Sequence, residues 1–314
     1  MAITGATTTT SLTELIATEF INTFIGEYLG NYKNPLQFFL PIAVTNGAST
    51  VSQPRWVSDV GTVPEDGAAV DTEFDATEAT DLVANELETT DATFSVIEYG
   101  LLREPSDTAM EDASLITVMD IVQNAAGIIA DAMNDDACAL FASLSNSSGS
   151  TGVDMSIANV NDALYQLARR GAKGELVGIF DNIQVEDFQN ALEAASTNMA
   201  VYAGAVDRMQ NVSTDAMQGR NVEGYTLSYK GVPIYRQGLT DTANTAADVV
   251  GAIFVRGDIA SQRGYATYGQ ASRRPFTVAT QRDESARCTE LVFTARWGCG
   301  EIFDGTGQKL VTDA

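Results

Sequence analysis

The chain has 314 residues, 45% of them apolar, and a formal net charge of −24 from 42 acidic against 18 basic residues, with no histidine. So anionic a chain disfavours direct reading of nucleic acid, which depends on Lys and Arg neutralising phosphates. The missing imidazole removes the commonest general base and transition-metal ligand. The charge is also uneven: Trp56 to Ala168 holds 22 Asp and Glu and one basic residue, Arg103, while the remainder is nearly balanced at 20 against 17.

No run of about 20 apolar residues is present to span a bilayer. The N-terminal stretch lacks the basic start and apolar core of a secretion signal, so synthesis and assembly are expected in the cytoplasm. Cys138, Cys288 and Cys299 are odd in number, form no CxxC and read as buried small hydrophobes.

Residues 1–10 are small and Thr-rich. Ser11-Leu-Thr-Glu14 is a capping box, and apolar residues from Leu15 to Ile25 recur at helical spacing, which predicts a helix over 12–29 that packs on something else. Asn34-Pro35 and Leu40-Pro41 break the next stretch into short extended pieces. From 51 to 102 the pattern turns to strands at 68–76 and 92–98, with a turn at Pro64-Glu-Asp-Gly67. Such a polar hairpin has too few large apolar residues for its own core, so it either stays loose or lies on a neighbouring molecule.

Residues 107–144 carry the clearest signal. Asp107 is a candidate cap, and Leu115, Val118/Met119, Val122, Ala125/Ala126, Ile129, Met133, Ala137, Leu140/Phe141 and Leu144 step by three or four. That stripe makes a spine of about eight turns, roughly 45 Å long. Asp120, Asp131, Asp135 and Asp136 lie on its solvent side. Ser145 to Gly152 is a boundary.

The rest reads as mixed α/β: a helix at 157–168 closed by Arg169, Arg170 and Gly171, a strand at 176–180, and a helix at 184–195. Strands come next at 225–229 and 232–235 around Lys230-Gly231, then at 249–254, and β structure runs from 276 to 311. The late strands are the natural cover for the spine.

No nucleotide-binding, zinc-protease or serine-hydrolase motif occurs. Neighbouring carboxylates at Glu111-Asp112 and Asp135-Asp136 point about 100° apart on a helix and make no ready dyad. Asp71, Glu73 and Asp75 alternate along one strand face and form a weak candidate for a divalent cation, without EF-hand spacing. Arg273, Arg274, Arg282, Arg287 and Arg296 form the one Arg-rich stretch, suited either to phosphate or to the acidic region of a second copy. No residue is assigned as catalytic, cofactor-binding or metal-binding, and no cofactor is expected.

Several segments, in order, resemble tailed-phage major capsid proteins of the Hong Kong 97 type. They are ATTTTSLTELI at 6–16, Val51 to Trp56, Val60 to Gly67, GELVGIFDNIQVEDFQNAL at 174–192, GVPIYRQGL at 231–239, GAIFVRGDIA at 251–260 and VATQRDESARCTELVFTARWGCG at 278–300. The resemblance implies an α+β (mixed) fold: an N-terminal arm at 1–50 and an extended loop at 51–104. A peripheral domain would be built from 105–149 (the spine helix) and 266–314 (the C-terminal strands), with an axial domain at 150–265. It implies a structural protein, not an enzyme, whose pentamers and hexamers form an icosahedral shell around double-stranded DNA without sequence-specific binding. The location would be the virion capsid, with no membrane association. The expected partners are a portal, a separate scaffolding protein, since the arm helix starts near residue 12, and a decoration protein. Residues 56–102 hold no lysine, so the covalent loop crosslink of some relatives is not expected. The rivals are an encapsulin-like nanocompartment shell and a carboxylate-based enzyme.

Overall fold

The computed structural model describes residues 35–44, 49–58, 88–108, 118–196, 225–238, 242–243, 248–259 and 265–313. The predicted helix at 12–29, the strand at 68–76 and the turn at 64–67 lie outside these residues. So do the carboxylates at 71, 73, 75, 111 and 112.

A 3₁₀ turn at Leu36–Phe38 leads into β1 (Leu40–Pro41), then β2 (Thr50–Ser58), β3 (Glu88–Ser95) and β4 (Ile97–Arg103). Helix α1 (Val118–Ser143) is followed by β5 (Ser147–Gly149), α2 (Ile157–Arg169), β6 (Leu176–Asp181) and α3 (Asn182–Ser196). The chain closes with β7 (Tyr225–Tyr229), β8 (Val232–Gln237), β9 (Thr242–Ala243), β10 (Asp248–Val255), β11 (Tyr268–Asp283), β12 (Cys288–Glu301) and β13 (Gly307–Asp313).

These strands make a four-stranded sheet in the order β1-β11-β12-β4, a seven-stranded sheet in the order β5-β13-β10-β6-β8-β7 with β9 on β10, and the two-stranded β2–β3 hairpin. Every residue of β10 is buried, because the sheet it belongs to is covered on both faces. Val250, Ala252 and Phe254 face the core under α1, while Ile253 faces a second core with α2 and α3, lined by Val160, Leu167, Phe180, Phe188 and Leu310. Helix α1 buries Val122, Ala125, Ala126, Ile129, Met133, Ala137 and Phe141, the stripe that the spacing predicts, against both large sheets. At 26 residues its described length is about 39 Å.

Four rings lock the parts together. Tyr268 of β11 stacks on Phe39 at 5.0 Å and meets Phe254 of β10 edge-on at 5.0 Å, and Phe141 of α1 closes the group at 5.9 Å. All four side chains are fully buried.

Three placements were not legible in the spacing. Residues 36–40, grouped by sequence with the arm, fill the protein's own core: Leu36 and Phe39 are fully buried and β1 runs parallel to β11. Gly257, lacking a side chain, lets the Leu40 backbone approach, and its N–H donates to the Phe38 carbonyl at 2.8 Å. The C-terminal stretch does not stay in one sheet, since β13 leaves β11 and β12 and pairs antiparallel with β10. Arg170, which closes α2, is 5% exposed. Its Nε donates to the Gln166 carbonyl of its own helix, as that position favours, but a second guanidinium nitrogen donates to Gln308. The apolar spacing of α2 could not reveal that β13 would close over this end.

Local chemistry explains the remaining joints. Ser156 caps α2 by accepting from the Asn159 N–H at 3.3 Å. Lys230 and Gly231 both have positive φ, 50° and 85°, the twist that a two-residue hairpin between β7 and β8 requires. Buried Gln184 at the start of α3 donates to the carbonyls of Val249 and Leu310 and to Thr312, which ties that helix to two strands.

Candidate assembly surfaces

The β2–β3 hairpin pairs from Thr50↔Ser95 to Ser58↔Glu88. Its root offers one apolar cross-strand pair, Val51↔Phe94, which joins Val96 and Ala271 in a small cluster beside Ile42 and Val44. Thr50, Ser52, Pro54, Asp91, Thr93 and Ser95 are exposed. One side of the root is therefore bound to the body, and its exposed described side chains are mostly polar. The sequence expectation of a coreless hairpin concerns strands at 68–76 and 92–98; the structure pairs 50–58 with 88–95, and 68–76 lies outside the described residues.

The four-stranded sheet turns Leu291, Phe293, Ala295 and Trp297 toward α1. Residues of opposite parity line its outer face, where β-pairing brings Arg274, Arg296 and Glu98 into one row across three strands. Arg274 donates to Glu98 at 3.4 Å, spanning the strand that carries Arg296. Like charges directly opposite each other are unfavourable, and one carboxylate balances two guanidinium groups here. The Arg296 Nε is buried with no hydrogen-bond partner, and Arg273 beside the row is exposed.

Arg282 behaves differently from the rest of that Arg-rich stretch. Both of its terminal nitrogens donate to Asp107 at 2.5 Å, a bidentate pair that holds the Asp107 carboxyl below the usual range and the guanidinium above its own. The Asp107 N–H donates to the Arg287 carbonyl, and the Thr289 N–H to the Pro105 carbonyl. The segment leading into the spine is thus stapled to the β11–β12 turn. Asp107, a candidate cap by sequence, pairs with Arg282, and the turn that it would cap lies outside the described residues. Two of the five arginines expected to meet another copy, Arg274 and Arg282, already find carboxylates in their own chain.

The exposed side of α1 carries Asp120, Asp131, Asp135 and Asp136 and no basic residue. Asp136 accepts from the Tyr99 hydroxyl of β4, whose phenol is pushed up by burial and by that carboxylate. Cys138 and Cys288 are buried, Cys299 is partly buried, and none forms a disulfide. Burial, with Asp136 and Cys138 nearby, pushes the Cys299 thiol up to about 12, which leaves it protonated and inert. Among the described residues no group of three His, Cys, Asp or Glu side chains is placed to hold a metal ion, and no helix is long and apolar enough to cross a membrane.

Sequence reasoning missed the small residues under the hairpin root. Their signal was present: Gly269, Gly298 and Gly300 interrupt strands that otherwise alternate well, and glycine inside a strand marks close approach of another backbone.

The sequence matches no protein-family model and no curated protein. The fold does have solved counterparts. The capsid protein of Ralstonia phage GP4 superposes with a TM-score of 0.59 at 8% identity, covering 88% of this chain and 87% of that one. The capsid structure of the cyanophage P-SCSP1u gives 0.58 at 10% identity, over 88% and 86%. A virus-like particle from Pyrococcus furiosus gives 0.52 at 8% identity, over 93% and 98%. At such identities the likeness is one of fold: a mixed α/β capsid-protein fold over nearly the whole chain.

Proposed function

We propose that this chain is a structural major capsid protein that assembles from pentamers and hexamers into an icosahedral shell around double-stranded DNA. The observation that carries the reading is the match of fold to phage capsid proteins over more than four-fifths of both partners. In this reading residues 51–104 form the extended loop and α1 is the spine of a peripheral domain with β11 and β12. Residues 150–265 form an axial domain, joined by β13.

The charge pattern fits the same account. Residues 59–87 hold nine Asp and Glu and no Lys or Arg. The charge of this segment complements the Arg273, Arg274 and Arg296 face of a neighbouring subunit, and such complementarity favours encounter and fixes register. The acidic face of α1 disfavours tight attachment of packaged DNA. A portal, a scaffolding protein and a decoration protein are the partners of such a shell, which is assembled in the host cytoplasm and kept in the virion.

The encapsulin-like alternative has the same walls and different contents. Gradient sedimentation of the expressed protein, followed by nuclease treatment and analysis of what remains inside, separates the two. Nuclease-protected DNA from infected cells supports the capsid; a single co-purifying enzyme inside the particle supports the nanocompartment. Protein that sediments only as a small oligomer contradicts both.

A further inference from the structure

The outer face of β11 and β12 holds four small residues in two directly opposed pairs, Gly269↔Gly300 and Ala271↔Gly298. They form a patch without side-chain relief at the end of a sheet whose other positions carry Arg, Glu, Thr and Val. The hairpin root lies on this patch. A Cβ on Gly298 would fall inside van der Waals contact of the Ser95 carbonyl oxygen and 3.1 Å from the Val96 Cα, both of them backbone. A Cβ on Gly300 would stand 2.6 Å from the Phe94 Cβ and 2.7 Å from its ring. A Cβ on Gly269 would meet Ile42 and Ile302 at 2.7 Å.

The contact falls where the chain changes direction. β3 ends at Ser95, β4 begins at Ile97, and Val96 between them is 4% exposed. The Val96 N–H donates to the Ser49 carbonyl at 2.9 Å, so both legs of the hairpin are joined at this level. On its far side β4 pairs with β12 only as far as Ile97↔Trp297, one residue before Gly298. The strand therefore leaves the ladder at that point and crosses the face of β12 over the two glycines. None of the glycines in the patch is held at positive φ, so they supply the absence of a side chain and not an unusual backbone.

We propose that Gly269, Ala271, Gly298 and Gly300 form a seat that sets the angle at which the β2–β3 hairpin leaves the body, and that this angle determines the geometry of the subunit contacts. The second half rests on the proposed shell function; the first stands on the described contacts alone. A hairpin tethered at its root by one apolar pair transmits a small displacement of the root into a larger one at the far end of β2, about 30 Å away for nine extended residues. Residues of the seat are thus positioning residues for assembly.

The test uses the full chain with Gly298→Ala, Gly300→Ala and Phe94→Ala, and Thr294→Ala as a control on the same face away from the hairpin. Circular dichroism and thermal unfolding establish that each variant folds. Hydrogen exchange then reads the amides of 49–51 and 94–96, and electron microscopy reads particle diameter. The seat predicts about tenfold or faster exchange at the root in Gly298→Ala and Gly300→Ala with the rest of the protein unchanged, together with particles of altered diameter or open sheets. Phe94→Ala removes the ring from the seat without adding an atom to β12, so it reports on the same contact should an alanine on β12 prevent folding. Wild-type exchange at the root in all three variants overturns the seat. Faster exchange with particles of unchanged diameter overturns the link from hairpin angle to assembly. Failure of the wild-type protein to form particles at all is instead a failure of the shell function, and leaves the exchange result to decide the seat.

Discussion

Asp107 and Arg282 illustrate what single residues contribute. A carboxylate held below its ordinary value stabilises the folded state at pH above the unfolded value of about 3.9, and that contribution is lost as the pH falls through the folded value. Wild type should therefore unfold at a higher temperature than Asp107→Asn at pH 7, and the gap should narrow below about pH 4 and close in stronger acid. Thermal scans across that range test the pair; a gap unchanged in acid contradicts it. The pair was not legible in the sequence, because 175 positions separate its members and Asp107 stands where a helix cap belongs. The cap of α2 was equally hidden. Ser156 precedes an apolar period but lacks the glutamate that would mark a capping box, and here Asn159 occupies that place.

Elements show the opposite balance. The α1 stripe, the β7–β8 hairpin and the strands at 176–181 and 248–255 were legible, because burial on one or two faces writes a period into the sequence. The joints between elements carry no period. The ring group of Phe39, Phe141, Phe254 and Tyr268 draws on four segments, and nothing local in any of them names the other three. Phe254→Ala should cost about 3–5 kcal/mol, since it opens a cavity where two sheets and the spine meet. Tyr268→Phe keeps the ring and loses the hydroxyl that donates to the Leu140 carbonyl at 3.3 Å, so its cost should be about 1 kcal/mol. Denaturant unfolding of both variants checks the ratio. Equal losses would mean that the hydroxyl, and not ring packing, holds this junction.

At the scale of the whole molecule, the order of segments carried the fold and composition carried the charge division, while sheet membership remained hidden. Residues 276–311 read as one β region, yet β13 belongs to the sheet of β10. Alternation records that a strand has two faces and not which neighbour it takes. The Arg-row surface was legible as a charge cluster, but its partial neutralisation by Glu98 and Asp107 required the pairing of β4 with β12 and the closing turn at 284–287. If the remaining positive face receives the acidic segment of another copy, then replacing both Arg273 and Arg274 with Glu should abolish assembly while leaving the fold intact. Wild-type assembly driven by those charges should weaken as salt rises and the screening length shortens from about 10 Å at 0.1 M to about 3 Å at 1 M. Light scattering against salt concentration reads this directly, and salt-independent assembly of the double variant contradicts it.

The measurement that bears most directly on the central claim is electron microscopy of the purified full-length protein, with and without Mg²⁺ and across salt concentration. A shell protein predicts closed particles, or rings of five and six subunits, with the β2–β3 hairpin of each subunit lying over its neighbour. A protein that remains a closed dimer or tetramer under every condition, with its hairpins facing solvent, would contradict the account.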